Sequence, residues 1–430
     1  MFKKKTIQNA QWIIGCKVIQ SLLQLVVGML SARYLGPSNY GLISYAASVI
    51  GFMVPVMQLG MRSTLVQEYV VTPEREGQIL GTSLVLNLLS SVACIMGVIC
   101  FTVAVNAGDV ITVIVCAIYS IQLIFQALEM IQCWFQAKLL SKYSSLAMLG
   151  AYVAVSAYKI YLLATRKSVY WFALSHSIEY GIIGIAMIVI YKKLGGYRLS
   201  FSWSLAKELF SRSKHYIMAS LMVTVFQNTS HVMLKLIVDD TENGFYAAAL
   251  TCCSVAQFVF MAIIDTARPV ILESRQKSEV YFEKNMVRIY SVILYLALAQ
   301  TICFILLAHP IVSIMYGKNY LEAVPVLRIL AWNAAFSYMG TVRNIWILGE
   351  EKHAVLWRIN LSGAVANVIL NALMIPLWGA CGAAFASVLT QIFTNFILGF
   401  LMPSIRQNNR LILRSLNPKY LLETIKALKE

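Results

Sequence analysis

Apolar runs follow one another from one end of this 430-residue chain to the other. A helix needs about 20 mostly apolar residues to cross the hydrocarbon core of a bilayer. Twelve segments meet that length: 10–31, 39–61, 79–105, 109–131, 144–164, 169–191, 215–238, 244–267, 288–308, 322–347, 354–375 and 379–401. Hydrocarbon offers no partner to a backbone N–H or C=O, so each span must be a helix or belong to a closed barrel. The runs lack the alternation of barrel strands. The expected fold is all-α and polytopic, with twelve transmembrane helices. Only 13% of the residues are charged, against about 25% in soluble domains. Too little charge is left to solvate a globule.

The basic residues set the topology. With the N-terminus inside, 25 of the 35 Lys and Arg fall in cytoplasmic segments and four in outside loops. That asymmetry obeys the positive-inside rule and puts both termini in the cytoplasm. The net charge of +16 is thus read as topology, not as nucleic-acid binding. The run after Lys3–Lys5 is too long for a signal peptide and has no obvious cleavage site, so it reads as an uncleaved first span. The nine Cys lie in apolar segments without zinc or redox spacing and read as small hydrophobes.

Segment 192–214 sits midway. Its Phe201, Leu205, Leu209 and Phe210 share a face that excludes Lys207, Arg212 and Lys214, as in an amphipathic helix on anionic inner-leaflet lipid. The expected organisation is a six-helix lobe over 1–197, a basic amphipathic connector over 198–214, a second six-helix lobe over 215–402 and a basic cytoplasmic tail over 403–430. A shift of 203 residues lays Asn39-Tyr40-Gly41 on Glu242-Asn243-Gly244 and span one on span seven. The lobes are therefore read as parallel repeats around a central cavity.

Span seven carries Thr224, Asn228, His231 and Lys235 at helical spacing on one face. Hydrocarbon does not tolerate such a face, so it looks towards a wet cavity or glues helices together; the cavity reading is preferred. Span one carries Lys17, Gln20, Ser21 and Gln24 at the repeat-equivalent position. Lys17 either lines the cavity or snorkels to the inner surface. Glu129 and Glu179 are read as ion-pair partners of Lys159 or Lys17, or as proton carriers. Asn360, Gly363, Asn367 and Asn371 in span eleven read as packing glue. The acidic cluster Asp239, Asp240 and Glu242 reads as a solvated turn.

No phosphate-binding glycine loop, metal-ligand spacing or Ser-His-Asp arrangement is present, and the outer loops are short. No catalytic residue, metal or cofactor is expected.

The stretch Ser31-Ala-Arg-Tyr-Leu-Gly-Pro-Ser-Asn-Tyr-Gly-Leu-Ile-Ser-Tyr-Ala46 resembles the first hairpin of the bacterial polysaccharide repeat-unit flippases of Wzx type, within the MATE-like multidrug/oligosaccharidyl-lipid/polysaccharide exporter superfamily. Cys133-Trp-Phe-Gln-Ala-Lys138, Asn367 through Pro376 and Gly379-Ala-Cys-Gly-Ala-Ala384 resemble that family too. The resemblance runs in order over about 400 residues. It implies a MATE-like fold in the bacterial cytoplasmic membrane and alternating-access transport of an undecaprenyl-diphosphate-linked oligosaccharide for surface polysaccharide synthesis. In that mechanism Lys17, His231 and Lys235 would neutralise the diphosphate. Gln24 and Asn228 would hydrogen-bond the sugar hydroxyls, with Thr224 lining the same cavity. Arg62, Arg343 and Arg358 would capture the head group, and Arg33 would receive it at the outer exit. A polysaccharide polymerase and chain-length machinery are the implied protein partners. The alternatives are a cation-coupled drug or metabolite exporter of the same fold, which would want acidic cavity residues, and an integral glycan polymerase or ligase.

Overall fold

A computed structural model describes residues 2–352 and 354–427. Every regular element among them is a helix, the form a lipid-exposed span requires. In chain order they are α1 (Phe2–Met57), α2 (Arg62–Val71), α3 (Glu76–Val105), α4 (Val110–Ala137), α5 (Ser141–Ala164), α6 (Val169–Lys193), α7 (Trp203–Ile237), α8 (Asp240–Lys277), α9 (Glu279–Met315), α10 (Ala323–Gly349), α11 (Ala354–Leu401), α12 (Arg406–Ser415) and α13 (Lys419–Ala427). Eight helices among the described residues are long and apolar enough to cross a membrane. A ninth is α8, if its halves Asp240–Gln257 and Val259–Lys277, bent by 40°, count as one span. The protein is a multi-pass membrane protein.

Two of the eight are interrupted. Gly36 takes φ 73°, ψ 171° inside α1, and Gly379 takes φ 51°, ψ −128° inside α11. Only glycine adopts such backbone without strain. Each break is a kink that separates two helical segments, with apolar residues on both sides. By contrast α10, expected as a span over 322–347, is not among the eight. It carries Arg328, Asn333, Arg343 and Asn344. It packs against α8, α9 and α11, so neighbouring protein covers it and it needs little lipid-compatible surface.

The chain divides into two compact units, Met1–Asn228 and Thr229–Glu430, and the division falls within α7. In the first unit α1 packs on α3, α4 and α5, and α6 on α4 and α5. Its core includes Met61, Leu65, Trp134, Phe135 and Tyr191. Leu205 and Leu209 of α7 are buried in that core, while Phe201 and Phe210 stay exposed. Half of the apolar face expected on lipid is therefore packed on protein. In the second unit the core surrounds Phe282, Tyr290, Tyr338 and Trp346. Phe260 stacks on Tyr338 at 4.0 Å between ring centres.

Candidate functional site

On α1, Lys17 and Gln24 are exposed, two turns apart on one face. Among the described residues neither side chain has a hydrogen-bond or ionic partner. Ser21, between them, donates to the carbonyl of Lys17 at 2.9 Å. Arg33 is exposed near the end of the same segment.

The face of α7 is different. Thr224 donates to the Ser220 carbonyl at 2.9 Å, and Asn228 Nδ2 donates to the Thr224 carbonyl at 3.0 Å. Asn228 also lies against Gly51, where an added Cβ would come within 3.0 Å of Nδ2. His231 is buried, with Nδ1 2.7 Å from Asn243 Oδ1 and its ring edge-on to Tyr246. Lys235 is ion-paired with Asp240. The acids of the α7–α8 turn are thus structural, in place of the expected solvated turn. Asp239 caps α8 through the Glu242 N–H at 2.8 Å. Glu242 Oε2 accepts the Ala380 N–H at 2.6 Å, just past the Gly379 break. Close approaches constrain both glycines of the Gly379-Ala-Cys-Gly382 stretch. A Cβ at 379 would lie 2.5 Å from Glu242 Oε2, and one at 382 would lie 2.1 Å from the Met374 carbonyl.

A polar seam continues through the second unit. Ser230 Oγ lies 3.2 Å from Asn371 Oδ1, and Asn371 Nδ2 donates to Asn367 O at 2.8 Å. Tyr246 and Ser387 join hydroxyls at 3.0 Å. Asn367 and Asn371 are both buried, as packing glue should be. Arg343 is placed away from any surface. It is buried and donates Nη1 to Thr394 O at 2.8 Å and to Asn395 Oδ1 at 2.7 Å. Its guanidinium ties α10 to α11, so it is not open to a head group in this structure. Arg358 is exposed beside the Trp357 ring.

In the first unit Arg62 is exposed, donates to Gln132 Oε1 at 2.8 Å and stands 4.0 Å from the buried Glu129. Residues assigned separately to head-group capture and to ion pairing therefore meet. Glu179 is buried with Tyr152 and Lys159 as polar neighbours. Sequence reasoning passed over Glu76. It is buried, accepts the Trp134 Nε1–H at 2.8 Å and is ion-paired with Lys138. Trp134 and Lys138 are four apart on one helix face, which gives the Cys133–Lys138 stretch a physical reason. Among the described residues no three His, Cys, Asp or Glu are grouped to hold a metal ion.

Known proteins resemble this chain in sequence and in fold. A capsular polysaccharide biosynthesis protein, CapF, of Staphylococcus aureus is 19% identical over 398 residues, covering 90% of this chain and 96% of its own. The lipid II flippase MurJ, in an inward closed conformation, superposes with TM-score 0.77 at 14% identity, covering 97% of this chain and 93% of that one. An inward-facing multidrug resistance MATE family transporter gives TM-score 0.68 at 13% identity, covering 92% and 96%. The fold is MATE-like. The polysaccharide biosynthesis protein family matches residues 6–275, a range that takes in the first hairpin, the buried Glu76–Trp134 pair and the polar face of α7. With more than half its length matched, the chain belongs to the polysaccharide biosynthesis protein family.

Proposed function

We propose that this protein is a flippase, a transporter and not an enzyme, that moves an undecaprenyl-diphosphate-linked oligosaccharide across the bacterial cytoplasmic membrane by alternating access. The observation that carries this reading is Lys17, exposed with Gln24 on a membrane helix and unpartnered among the described residues. An ammonium there is costly unless something anionic or wet meets it. A diphosphate supplies the charge, and sugar hydroxyls suit the amide. CapF, a relative over nearly its whole length, acts in capsular polysaccharide biosynthesis, and MurJ is a lipid II flippase.

Twelve crossings, six in each lobe with both termini in the cytoplasm, are the reading we adopt. It is supported by the breaks at Gly36 and Gly379, by the bent α8 and by the burial of α10. Lys17, Gln24, Thr224 and Asn228 form the proposed cargo-contacting set. His231 and Lys235 join it on reorganisation of their present pairs with Asn243 and Asp240. Arg33, Arg62 and Arg358 are the proposed entry and exit cations. Drug export is disfavoured by the acids. Glu129 and Glu179 are buried, and the exposed Asp265 and Glu273 of α8 are ion-paired with Arg268 and Lys277.

The test is transbilayer movement of a labelled undecaprenyl-diphosphate oligosaccharide in proteoliposomes. Movement above protein-free vesicles is expected. No movement with several glycans tried, together with expulsion of a cationic dye, would overturn the reading in favour of drug export.

A further inference from the structure

A groove of about 630 Å³ lies in the second unit, lined by Ala267 and Val270 of α8, Ile289 and Val292 of α9, and Thr424 of α13. Its volume falls in the range of about 300–1,000 Å³ typical of small-ligand sites. The walls are almost wholly apolar, yet Arg288 and Asn285 open into it. Arg288 is half-buried, and its Nε is shielded from solvent without a hydrogen-bond partner. Among the described residues its guanidinium has no ion pair at all.

The neighbouring carboxylates are already committed. Asp265 is 3.1 Å from Arg268, and Glu283 accepts from Gln407 at 2.9 Å and from Arg414 at 3.4 Å. The next basic residue on that face of α9, Lys284, is exposed one turn earlier. Two cations four apart repel each other unless an anion sits with them. In a bilayer an apolar groove alone selects nothing, because lipid tails are as apolar as its walls. The guanidinium supplies the selection, since its planar fork matches a phosphate.

We propose that this groove holds one acyl chain of an anionic phospholipid, with the lipid phosphate on Arg288 and Lys284 beside it. The Asn285 amide N–H donates to the glycerol ester carbonyl. The lipid is a fixed structural ligand of the second unit, separate from the transported molecule. That it comes from the inner leaflet rests on the proposed topology; that it binds does not.

The experiment is native mass spectrometry of the detergent-purified chain with added phosphatidylglycerol or phosphatidylcholine. Phosphatidylglycerol should be retained at least tenfold better than phosphatidylcholine, and Arg288→Gln should remove that preference. Ala262→Phe, which fills the groove from an exposed lining position, should lower retention of both lipids while leaving Arg288 intact. It keeps the test standing if Arg288→Gln does not fold. Unchanged retention in Arg288→Gln, or in Ala262→Phe, would overturn the proposal. So would displacement of the lipid by inorganic phosphate, which would make the site one for a free anion. Undecaprenyl phosphate retained better than phosphatidylglycerol would give the groove to the cargo chain instead. None of these readouts depends on transport, so a failed translocation assay leaves them unaffected.

Discussion

Lys17 on α1 and Lys235 on α7 occupy similar polar faces, one early in the first unit and one early in the second. Lys17 is exposed and has no partner among the described residues, while Lys235 is ion-paired and largely covered. The difference lies not in the helices themselves but in the chain just beyond each lysine. After Lys17 no acidic residue occurs before Glu68, and the break at Gly36 leads into Pro-Ser-Asn-Tyr. After Lys235 the chain turns at 238–239 into Asp239, Asp240, Glu242 and Asn243, and these take up Lys235, His231 and the Ala380 N–H. A cation becomes structural or available according to the turn beside it.

The sharpest way to break that comparison is Asp240→Ala. Removing one partner of a buried pair leaves an uncompensated charge and costs about 3–5 kcal/mol. With the side chains of Lys235 and Asp240 still 11% and 18% exposed, the lower end, about 3 kcal/mol, is expected. Denaturation in detergent should show the loss, and adding Lys235→Met should restore most of it. If Asp240→Ala leaves stability unchanged, Lys235 is as uncommitted as Lys17 and the contrast between the two faces disappears.

Next in size is Gly379→Ala. Forcing an L-residue to φ 51°, ψ −128° costs on the order of 1–3 kcal/mol. The new methyl would also press on the Glu242 carboxylate. A loss of about 2 kcal/mol is expected. Glu242→Gln, which keeps an acceptor for the Ala380 N–H, should cost clearly less. Equal losses would mean that the acid's charge, and not its position, holds the break.

These two substitutions also mark what could be read from the sequence. Apolar runs are legible because a bilayer permits few alternatives, and the described residues are all-helical as those runs require. The run at 322–347 is read correctly as a helix, but α10 is wrapped by protein, so its surface is not that of a lipid-facing span. Helical spacing placed Thr224, Asn228, His231 and Lys235 on one face. It did not say which were satisfied. For Lys235 the answer lay five residues away and was readable as an acid across a turn. For Arg343 it did not, because its acceptors Thr394 and Asn395 are brought in by packing of α11. Glu76 was missed for the same reason: Trp134 and Lys138 reach it from another helix.

On the available face, Lys17→Ala should cut translocation of the lipid-linked oligosaccharide at least tenfold, or about 1.4 kcal/mol. Because Lys17 is exposed, the unfolding midpoint should not move. That separation of transport from stability is the mirror image of Asp240→Ala. Lys17→Arg should retain most of the movement, since the charge is kept. A Lys17→Ala protein that transports normally would take Lys17 out of the cargo-contacting set and leave it as a lysine snorkelling to the surface.

Thr224 gives the smallest effect and the finest discrimination. Its hydroxyl already bonds the Ser220 carbonyl within α7, a local back-bond that contributes little to helix stability. Thr224→Ala should therefore change stability by less than about 0.5 kcal/mol. Transport should slow by about twofold, the loss of one neutral hydrogen bond of roughly 0.5 kcal/mol. Thr224→Val keeps the shape and removes the hydroxyl, so it should behave like Thr224→Ala if the hydroxyl meets a sugar. If Thr224→Val is normal while Thr224→Ala is slow, the residue acts by packing. The contact with cargo would then begin, on this helix, at Asn228.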